Sequence, residues 1–367
     1  MPGKATLHRT PLHGRYQDLG ASLVEHEGWE LALEYASAAD EHLAVRQSAG
    51  VFDLCHLGEL AIKWSWAGEY LQTRLTNDVE QLEPGQCQYT LLTDEDGRVA
   101  DDLILFRLAE GFLLTVNAVN ITRDLELLSE MADVSDDWGL LSVQGPHAGE
   151  LLGLGLEPFT FQRDEVLGVE CLASRTGYTG EPGYELLCNS ADVAALWENI
   201  LELGVTPCGM AARDSLRLEQ GLLRHGHDVT AENNPYEAGL GAVVKTSKNF
   251  VGVGPLRKIK RHAPSQRLVS FVMEGESVPS AGASIAGDGR VTSAAYSPIL
   301  ERGIGMAYVW PGVVEAGAKL EIDVDGATQI GHIHEPPLLG PQPAKRKSGR
   351  VHRMKASRPP RRRPPRP

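Results

Sequence analysis

The stretch Arg175-Thr-Gly-Tyr-Thr-Gly-Glu-Pro-Gly-Tyr-Glu185 carries the most information about fold and function in this sequence. Its three glycines tolerate backbone conformations that other residues avoid, and Pro182 fixes one turn position. We therefore expect two strands to meet here across a tight loop. Glu181 and Glu185 would then lie beside backbone that a flat ligand can approach closely.

A second informative stretch follows, Arg213-Asp-Ser-Leu-Arg-Leu-Glu-Gln-Gly221. It predicts a helix that ends at its glycine. Arg213 and Arg217 are four residues apart and should share one face of that helix. A carboxylate on a strand turn and a cationic helix face suit a ligand with an amidine-like group at one end and an acidic group at the other.

Length and composition indicate an ordinary globular protein of two or three domains. The chain has 367 residues, of which 42% are hydrophobic and 23% charged. No run approaches the roughly 20 apolar residues that span a bilayer, and the N-terminus lacks the apolar core of a secretory signal. Five scattered cysteines without a C-x-x-C pair indicate neither a zinc site nor a disulfide framework. These features favour a cytoplasmic protein with no membrane partner.

The net charge of −14 is divided unevenly along the chain. Residues 341–367 hold 11 Lys or Arg and no Asp or Glu, so the other 340 residues carry a net charge of −25. An acidic body repels nucleic-acid phosphates, and we expect no nucleic-acid partner. The Pro- and Arg-rich tail cannot build a core and is predicted to be disordered. It is either a basic arm for a partner or a solvated extension, and composition favours the extension.

The order of predicted elements indicates an α+β protein. A helix capped by Gly50 is followed by one long strand over residues 51–63 and a helix near residues 66–76. A hairpin turned by Asp96-Gly97 joins residues 88–93 to 98–108, before a strand at 111–116 and a helix at 121–131. A strand over 141–146 opens a second body that runs to about residue 245. From Ser265 onward, short strands alternate with turns, which is typical of an all-β domain.

Asp101 and Asp102 lie inside one predicted strand, so their carboxylates point to opposite faces and do not form an acid/base pair. Spacing alone favours an ordinary hydrogen-bonded strand carboxylate. Asn117 follows the next strand, where asparagine is usually a turn former; the functional alternative is an amide that offers a donor and an acceptor to a heterocycle. His225-Gly-His227 offers two imidazoles without a third ligand, and no metal site is expected.

Taken together, the motifs resemble the folate-dependent aminomethyltransferases, the T-proteins of the glycine cleavage system. Their order and spacing carry the resemblance, through Asp40-Glu-His-Leu-Ala-Val-Arg46, Gly50-Val-Phe-Asp53, Gly97-Arg-Val-Ala-Asp-Asp-Leu-Ile104, Val143-Gln-Gly-Pro146, the run 177–185, the run 208–221 and Lys248-Asn-Phe-Val-Gly252. One departure from the usual pattern is His225-Gly226, where the family commonly has Tyr-Gly.

The resemblance implies a three-domain cloverleaf. Its first domain is discontinuous (1–50 plus 137–245), its second is ferredoxin-like (51–136), and its third is a jelly-roll-like β domain (265–340). The family's catalytic carboxylate corresponds to Asp102. Glu185 resembles the residue that grips the pterin, Arg213 a ligand-binding arginine and Asn117 a residue near the pterin, and Tyr178 is placed with them as a folate contact.

The implied activity is transfer of the one-carbon unit of an aminomethyl group, carried on the lipoyl arm of H-protein, to tetrahydrofolate. Tetrahydrofolate is then a co-substrate, and lipoylated H-protein the protein partner. Two alternatives stay open. One is a tetrahydrofolate-dependent demethylase of another methyl donor. The other is a folate-binding protein without activity, whose relatives in iron–sulfur assembly carry a Lys-Gly-Cys-Tyr motif where this chain has residues 213–217.

Overall fold

The computed structural model describes residues 6–313 and 315–339, and the predicted basic tail at 341–367 lies outside them. Within the described residues the chain forms two open sheets, a small hairpin and a closed barrel. This is the mixed α+β architecture that the sequence predicts. None of the helices in these ranges is both long enough and apolar enough to cross a membrane.

The six-stranded sheet is built from two separated parts of the chain. In spatial order its strands are Phe161–Val166, Val169–Ser174, Gly183–Asn189, Trp138–Gln144, Gly50–Asp53 and Thr206–Pro207. All pairings are antiparallel except the last. The accompanying helices are His13–Asp18, Ala38–Gln47, Ala148–Leu152, Val193–Glu202 and Met210–Gln220, and the hairpin Ser22–His26 with Trp29–Glu34 stands beside them.

The five-stranded sheet is antiparallel throughout. Its strands, in spatial order, are Cys87–Thr93, Val99–Arg107, Phe112–Val116, Gly58–Ile62 and Ala132–Asp133, and its helices are Ala67–Gln72 and Ile121–Leu127. The predicted hairpin is confirmed, with Gly97 at φ +78° in its turn. Such a conformation favours glycine because a Cβ would clash there.

The C-terminal part is a closed six-stranded barrel, which confirms the predicted all-β domain. Its strands close in the order Arg267–Met273, Arg302–Val309, Gly289–Ser297, Ser284–Ile285, Lys319–Val324 and Ala327–His334. The helix Val253–Ile259 precedes it, and single turns of 3-10 helix lie at Val79–Gln81, Ala118–Asn120, Ser135–Asp137, Gly241–Val243 and Pro311–Val313. Closure leaves the barrel without an unpaired edge strand.

Two local predictions around residue 50 are wrong. The helix Ala38–Gln47 ends before Gly50, which instead begins a strand. Glycine is required there by close packing, since a Cβ would lie 2.5 Å from the Sγ atom of Cys208. The predicted single strand 51–63 is two strands in different sheets, Gly50–Asp53 and Gly58–Ile62. Residues 51–53 therefore lie in the six-stranded sheet, although we expected the second domain to begin at residue 51.

A buried network of charged and polar side chains joins the helical part of the molecule to the barrel. Arg46 donates to the Oε2 atom of Glu219 through Nε at 3.0 Å and Nη2 at 2.6 Å. Ser297, on a barrel strand, donates to Oε1 of the same carboxylate, and the Nε2 atom of His42 lies 3.2 Å from that oxygen. Because Glu219 lies in the last turn of the helix Met210–Gln220, this network fixes that helix against the barrel.

Candidate active site

All five sequence-predicted site residues line one cavity of about 350 Å³. Asp102 and Asn117 come from the five-stranded sheet and its following loop, and Glu185 from the six-stranded sheet. Tyr178 comes from the glycine-rich loop, and Arg213 from the helix Met210–Gln220. The volume lies within the range of small-molecule sites. Distant segments of the sequence thus converge on one concave surface.

The two neighbouring aspartates have different surroundings, as the alternation of side chains along a strand predicts. Asp101 is completely buried, and its Oδ1 atom accepts from Asn117 Nδ2 at 2.7 Å and from Asn120 Nδ2 at 2.6 Å. Burial, with the nearby Asp124, raises the pKa of Asp101 well above its usual value. Asp102 alone of the pair lines the cavity. Asp101 therefore does not face the cavity, and it positions Asn117 and Asn120 through these hydrogen bonds.

Asp102 is held by two donors within the cavity wall. The hydroxyl of Tyr89 donates to its Oδ2 at 3.0 Å, and Asn117 Nδ2 donates to its Oδ1 at 3.2 Å. Burial raises the pKa of Asp102, and the two hydrogen bonds and the charge of Arg213 oppose that increase. Such a carboxylate is a stronger proton acceptor than an exposed aspartate and is fixed in one orientation.

We considered that the amide of Asn117 offers both a donor and an acceptor to a heterocycle, but its donor is directed elsewhere. Its Nδ2 atom donates to Asp101, to Asp102 and to the backbone carbonyl of Asp102 at 3.0 Å. The donor is thus already used within the protein. None of the hydrogen bonds found in residues 6–313 and 315–339 uses its Oδ1, so an acceptor is what Asn117 can present to a ligand.

The glycine-rich run forms the loop between the strands Val169–Ser174 and Gly183–Asn189, as predicted. Glu185 lies in the second strand and accepts a hydrogen bond from the hydroxyl of Thr176. Burial raises the pKa of Glu185, against the effects of Thr176 and of Arg213. Glu181, which we expected beside it, instead accepts from Arg46 Nη1 at 3.0 Å and belongs to the buried network.

The space above two of these glycines is filled by protein, not left open to a ligand as we expected. A Cβ at Gly177 would lie 2.1 Å from Gln144 Oε1, and a Cβ at Gly183 would lie 2.3 Å from Gln144 Cδ. Gln144 is itself fully buried, and its Nε2 donates to the backbone carbonyl of Thr176 at 3.2 Å. The glycines thus let the loop close over a glutamine side chain.

Arg213 and Tyr178 form a pair on the cavity wall. The guanidinium carbon of Arg213 lies 4.4 Å from the centre of the Tyr178 ring, a cation–π contact. The Tyr178 hydroxyl donates to the backbone carbonyl of Leu223. Arg217 does not join them, because its buried guanidinium forms ion pairs elsewhere. One is with Asp228, and the other joins its Nε atom to Oδ1 of Asp214 at 2.7 Å. The predicted cationic helix face therefore contributes one arginine to the cavity.

Sequence reasoning missed a group of cavity residues at the end near the N-terminal hairpin. His26 and Glu27 lie at the turn of that hairpin, and Arg224 approaches them after the helix Met210–Gln220. Arg224 Nη2 lies 3.5 Å from His26 Nδ1 and 3.8 Å from Glu27 Oε1. The dipeptide Glu27-Gly28 was the available turn signal, and both of its residues have positive φ.

The pKa of His26 is lowered to about 3 by burial and by the charges of Arg224 and Arg213. The unfolded chain binds the proton near pH 6.5 and the folded protein only near pH 3, so His26 reduces stability as the pH falls through that interval. We expect His26→Gln to weaken the fall in Tm between pH 7 and pH 4.5. The exposed His262→Gln should leave it unchanged, and equal slopes for His26→Gln and the wild type would contradict the assignment.

No group of three His, Cys, Asp or Glu side chains in the described part of the chain is placed to hold a metal ion. His225 lines the cavity, but its Nδ1 atom is 2.9 Å from Asn120 Nδ2. Asn120 Nδ2 can only donate, so Nδ1 of His225 is the acceptor and the imidazole is neutral. Burial accordingly lowers the pKa of His225.

Two family models match this architecture. Residues 12–248 match the GCVT N-terminal domain, and residues 266–339 match the glycine cleavage T-protein C-terminal barrel domain. The chain belongs to the glycine cleavage T-protein family. This confirms the resemblance seen in the sequence, and the second match covers the closed barrel.

Individual aminomethyltransferases are similar to this chain over most of their length. The aminomethyltransferase of Geobacillus kaustophilus is 41% identical over 346 residues, which cover 87% of this chain and 95% of that relative. The aminomethyltransferase of Symbiobacterium thermophilum is 39% identical over 365 residues, covering 91% and 97%. The crystal structure of the glycine cleavage system aminomethyltransferase T from Bartonella henselae has a TM-score of 0.84 at 30% identity, covering 90% and 98%. The protein is accordingly a one-carbon transferase of the aminomethyltransferase class.

Proposed function

We propose that the protein transfers the one-carbon unit of an aminomethyl group on the lipoyl arm of H-protein to tetrahydrofolate. The products are 5,10-methylenetetrahydrofolate, ammonia and dihydrolipoyl H-protein. The observation that carries the proposal is the convergence of Asp102, Asn117, Tyr178, Glu185 and Arg213 on one cavity in a T-protein fold.

The donor set of the cavity fits a reduced folate. A pterin presents a ring N–H beside an exocyclic amine, and one carboxylate can accept both hydrogen bonds. Glu185 is the carboxylate that we assign to this grip, since Thr176 holds it in place at the cavity wall. The paired ring of Tyr178 and guanidinium of Arg213 offer a flat surface and a charge for the rest of the ligand.

Asp102 is the residue that we assign to the chemical step. Tetrahydrofolate, when bound, supplies the nitrogen nucleophile that receives the one-carbon unit. An ionised Asp102 orients that nucleophile, accepts its proton and stabilises the positive charge that develops as ammonia departs. Tyr89 and Asn117 keep the carboxylate in position, so it need not reorganise during the reaction.

The same proposal includes the domain arrangement, the protein partner and the compartment. We assign the two open sheets and the barrel to the three domains of the family's cloverleaf, with the discontinuous first domain around the six-stranded sheet. The five-stranded sheet corresponds to the ferredoxin-like domain and the barrel to the jelly-roll-like one. Lipoylated H-protein is the partner, and the cytoplasm is the compartment in which both substrates would meet.

The test is turnover of the purified protein with aminomethylated H-protein and tetrahydrofolate. We expect ammonia and 5,10-methylenetetrahydrofolate to appear in equal amounts. A parallel assay replaces the H-protein with methylamine and O-methyl donors. Turnover with those donors alone would favour the demethylase alternative, and folate binding without turnover of any donor would favour the non-enzymatic one.

A further inference from the structure

The guanidinium of Arg224 lines the cavity without a strong partner. Its side chain is 24% exposed, and its nearest acidic group, the Oε1 atom of Glu27, is 3.8 Å from Nη2. Its Nε atom is buried and has no hydrogen-bond partner within residues 6–313 and 315–339. A guanidinium has five N–H donors, and a buried donor without an acceptor is costly. Because the Nε atom is enclosed, an anionic ligand in the cavity would pair with the Nη groups of the partly exposed guanidinium.

The backbone that carries Arg224 is held firmly. The Arg224 N–H donates to Asp228 Oδ2 at 3.0 Å, and the Asp228 N–H donates back to the Arg224 carbonyl at 2.8 Å. Asp228 is fully buried, and it also accepts from Arg217 and from Thr292 of the barrel. Such a turn presents the long side chain from a fixed point, which favours recognition of a particular group.

The cavity wall carries two arginines, Arg213 and Arg224, together with three carboxylates, Asp102, Glu185 and Glu27. The charge of Arg213 opposes the rise that burial causes in the pKa of Asp102 and of Glu185, so Arg213 lies near both carboxylates. Arg224 also lies close to Arg213, and it acts on His26 and Glu27 at the hairpin. At the hairpin, Arg224 therefore has Arg213 and Glu27 as its charged neighbours.

We propose that Arg224 binds a carboxylate of the glutamate part of tetrahydrofolate, an inference that rests on the proposed function. The ligand has hydrogen-bond donors on its pterin and two carboxylates at its opposite end. With the pterin at Glu185 and Asp102, the glutamate extends past Arg213 toward the hairpin. A planar guanidinium with free N–H groups matches a carboxylate in charge and geometry.

The test compares equilibrium binding of tetrahydrofolate and of tetrahydropteroate, which lacks the glutamate, to the full-length protein. We expect Arg224→Gln to weaken tetrahydrofolate binding about tenfold and to leave tetrahydropteroate binding unchanged. Arg224→Lys should retain part of the preference because it keeps the charge. The exposed Arg163→Gln serves as the control, with wild-type affinity for both ligands.

Each other outcome overturns the inference. An equal loss for both ligands would mean that Arg224 acts on the shape of the cavity and not on the glutamate. Equal wild-type affinities for the two ligands would mean that the glutamate makes no useful contact, while the proposed function stands. If the wild type binds neither ligand, the folate-dependent function fails and the inference fails with it.

Discussion

Asp102→Asn is expected to lower kcat about a thousandfold while tetrahydrofolate still binds with nearly wild-type affinity. Asparagine keeps the size and planarity of the side chain but cannot accept a proton or carry negative charge. General-base catalysis and charge stabilisation of this kind contribute about 10²–10⁴ in rate. The measurement is single-turnover kinetics with aminomethylated H-protein, alongside equilibrium titration with tetrahydrofolate.

Two further variants make the result specific to this carboxylate. Asp164→Asn changes an exposed aspartate on a distant strand and should behave as the wild type. Asp101→Asn replaces one of the two carboxylate oxygens that accept from Asn117 and Asn120 with an N–H donor, so it should reduce stability more than it reduces the chemical step. Normal turnover in Asp102→Asn, together with an inactive but folded Asp101→Asn, would show that the catalytic carboxylate is Asp101, on the other face of the strand.

Glu219→Gln is expected to destabilise the protein by about 3 kcal/mol, the lower end of the range for breaking a buried ion pair, because Arg46 then keeps only its pair with Glu181. Burial alone would raise the pKa of Glu219, but His42, Arg46 and Ser297 outweigh it and hold the pKa below its ordinary value. The ionised carboxylate therefore stabilises the fold above the unfolded pKa, and this contribution is lost as the pH falls through the folded pKa. Urea denaturation at pH 7 measures the loss.

The control for Glu219 is an ion pair of the same type at the surface. Glu198 lies 2.6 Å from Arg15, and both side chains are about half exposed. Glu198→Gln should therefore cost about 1 kcal/mol or less. Equal effects of the two substitutions would show that the Glu219 network contributes no more than a solvent-exposed pair.

Local patterns predicted the elements that local forces determine. The helix that carries Arg213 ends at Gly221, which has φ +74°, as the glycine indicates. The Asp96-Gly97 turn likewise gave the hairpin that carries Asp102. The site itself required the family resemblance, because spacing alone left Asp102 and Asn117 with ordinary structural interpretations. No pattern in the sequence brings these residues to the wall that Glu185 occupies.

The errors arose where distant residues determine the local environment. Arg217 has the helical position expected of a ligand contact, but Asp228 neutralises it inside the protein. Glu181 lies near Glu185 in the sequence, but Arg46 draws it into another network. The N-terminal hairpin was missed because its first strand is largely exposed and lacks an alternating apolar face. Its contribution to the cavity, with His26 and Glu27, was therefore missed too.

The packing of Gln144 beneath the glycine-rich loop limits how this cavity could be re-engineered. A side chain added at Gly177 or Gly183 would meet the glutamine before it met any ligand. Libraries that diversify the loop for a different heterocycle should therefore vary position 144 together with positions 177 and 183. A smaller residue at 144 would open volume under the loop, and the three positions would then be selected as one unit.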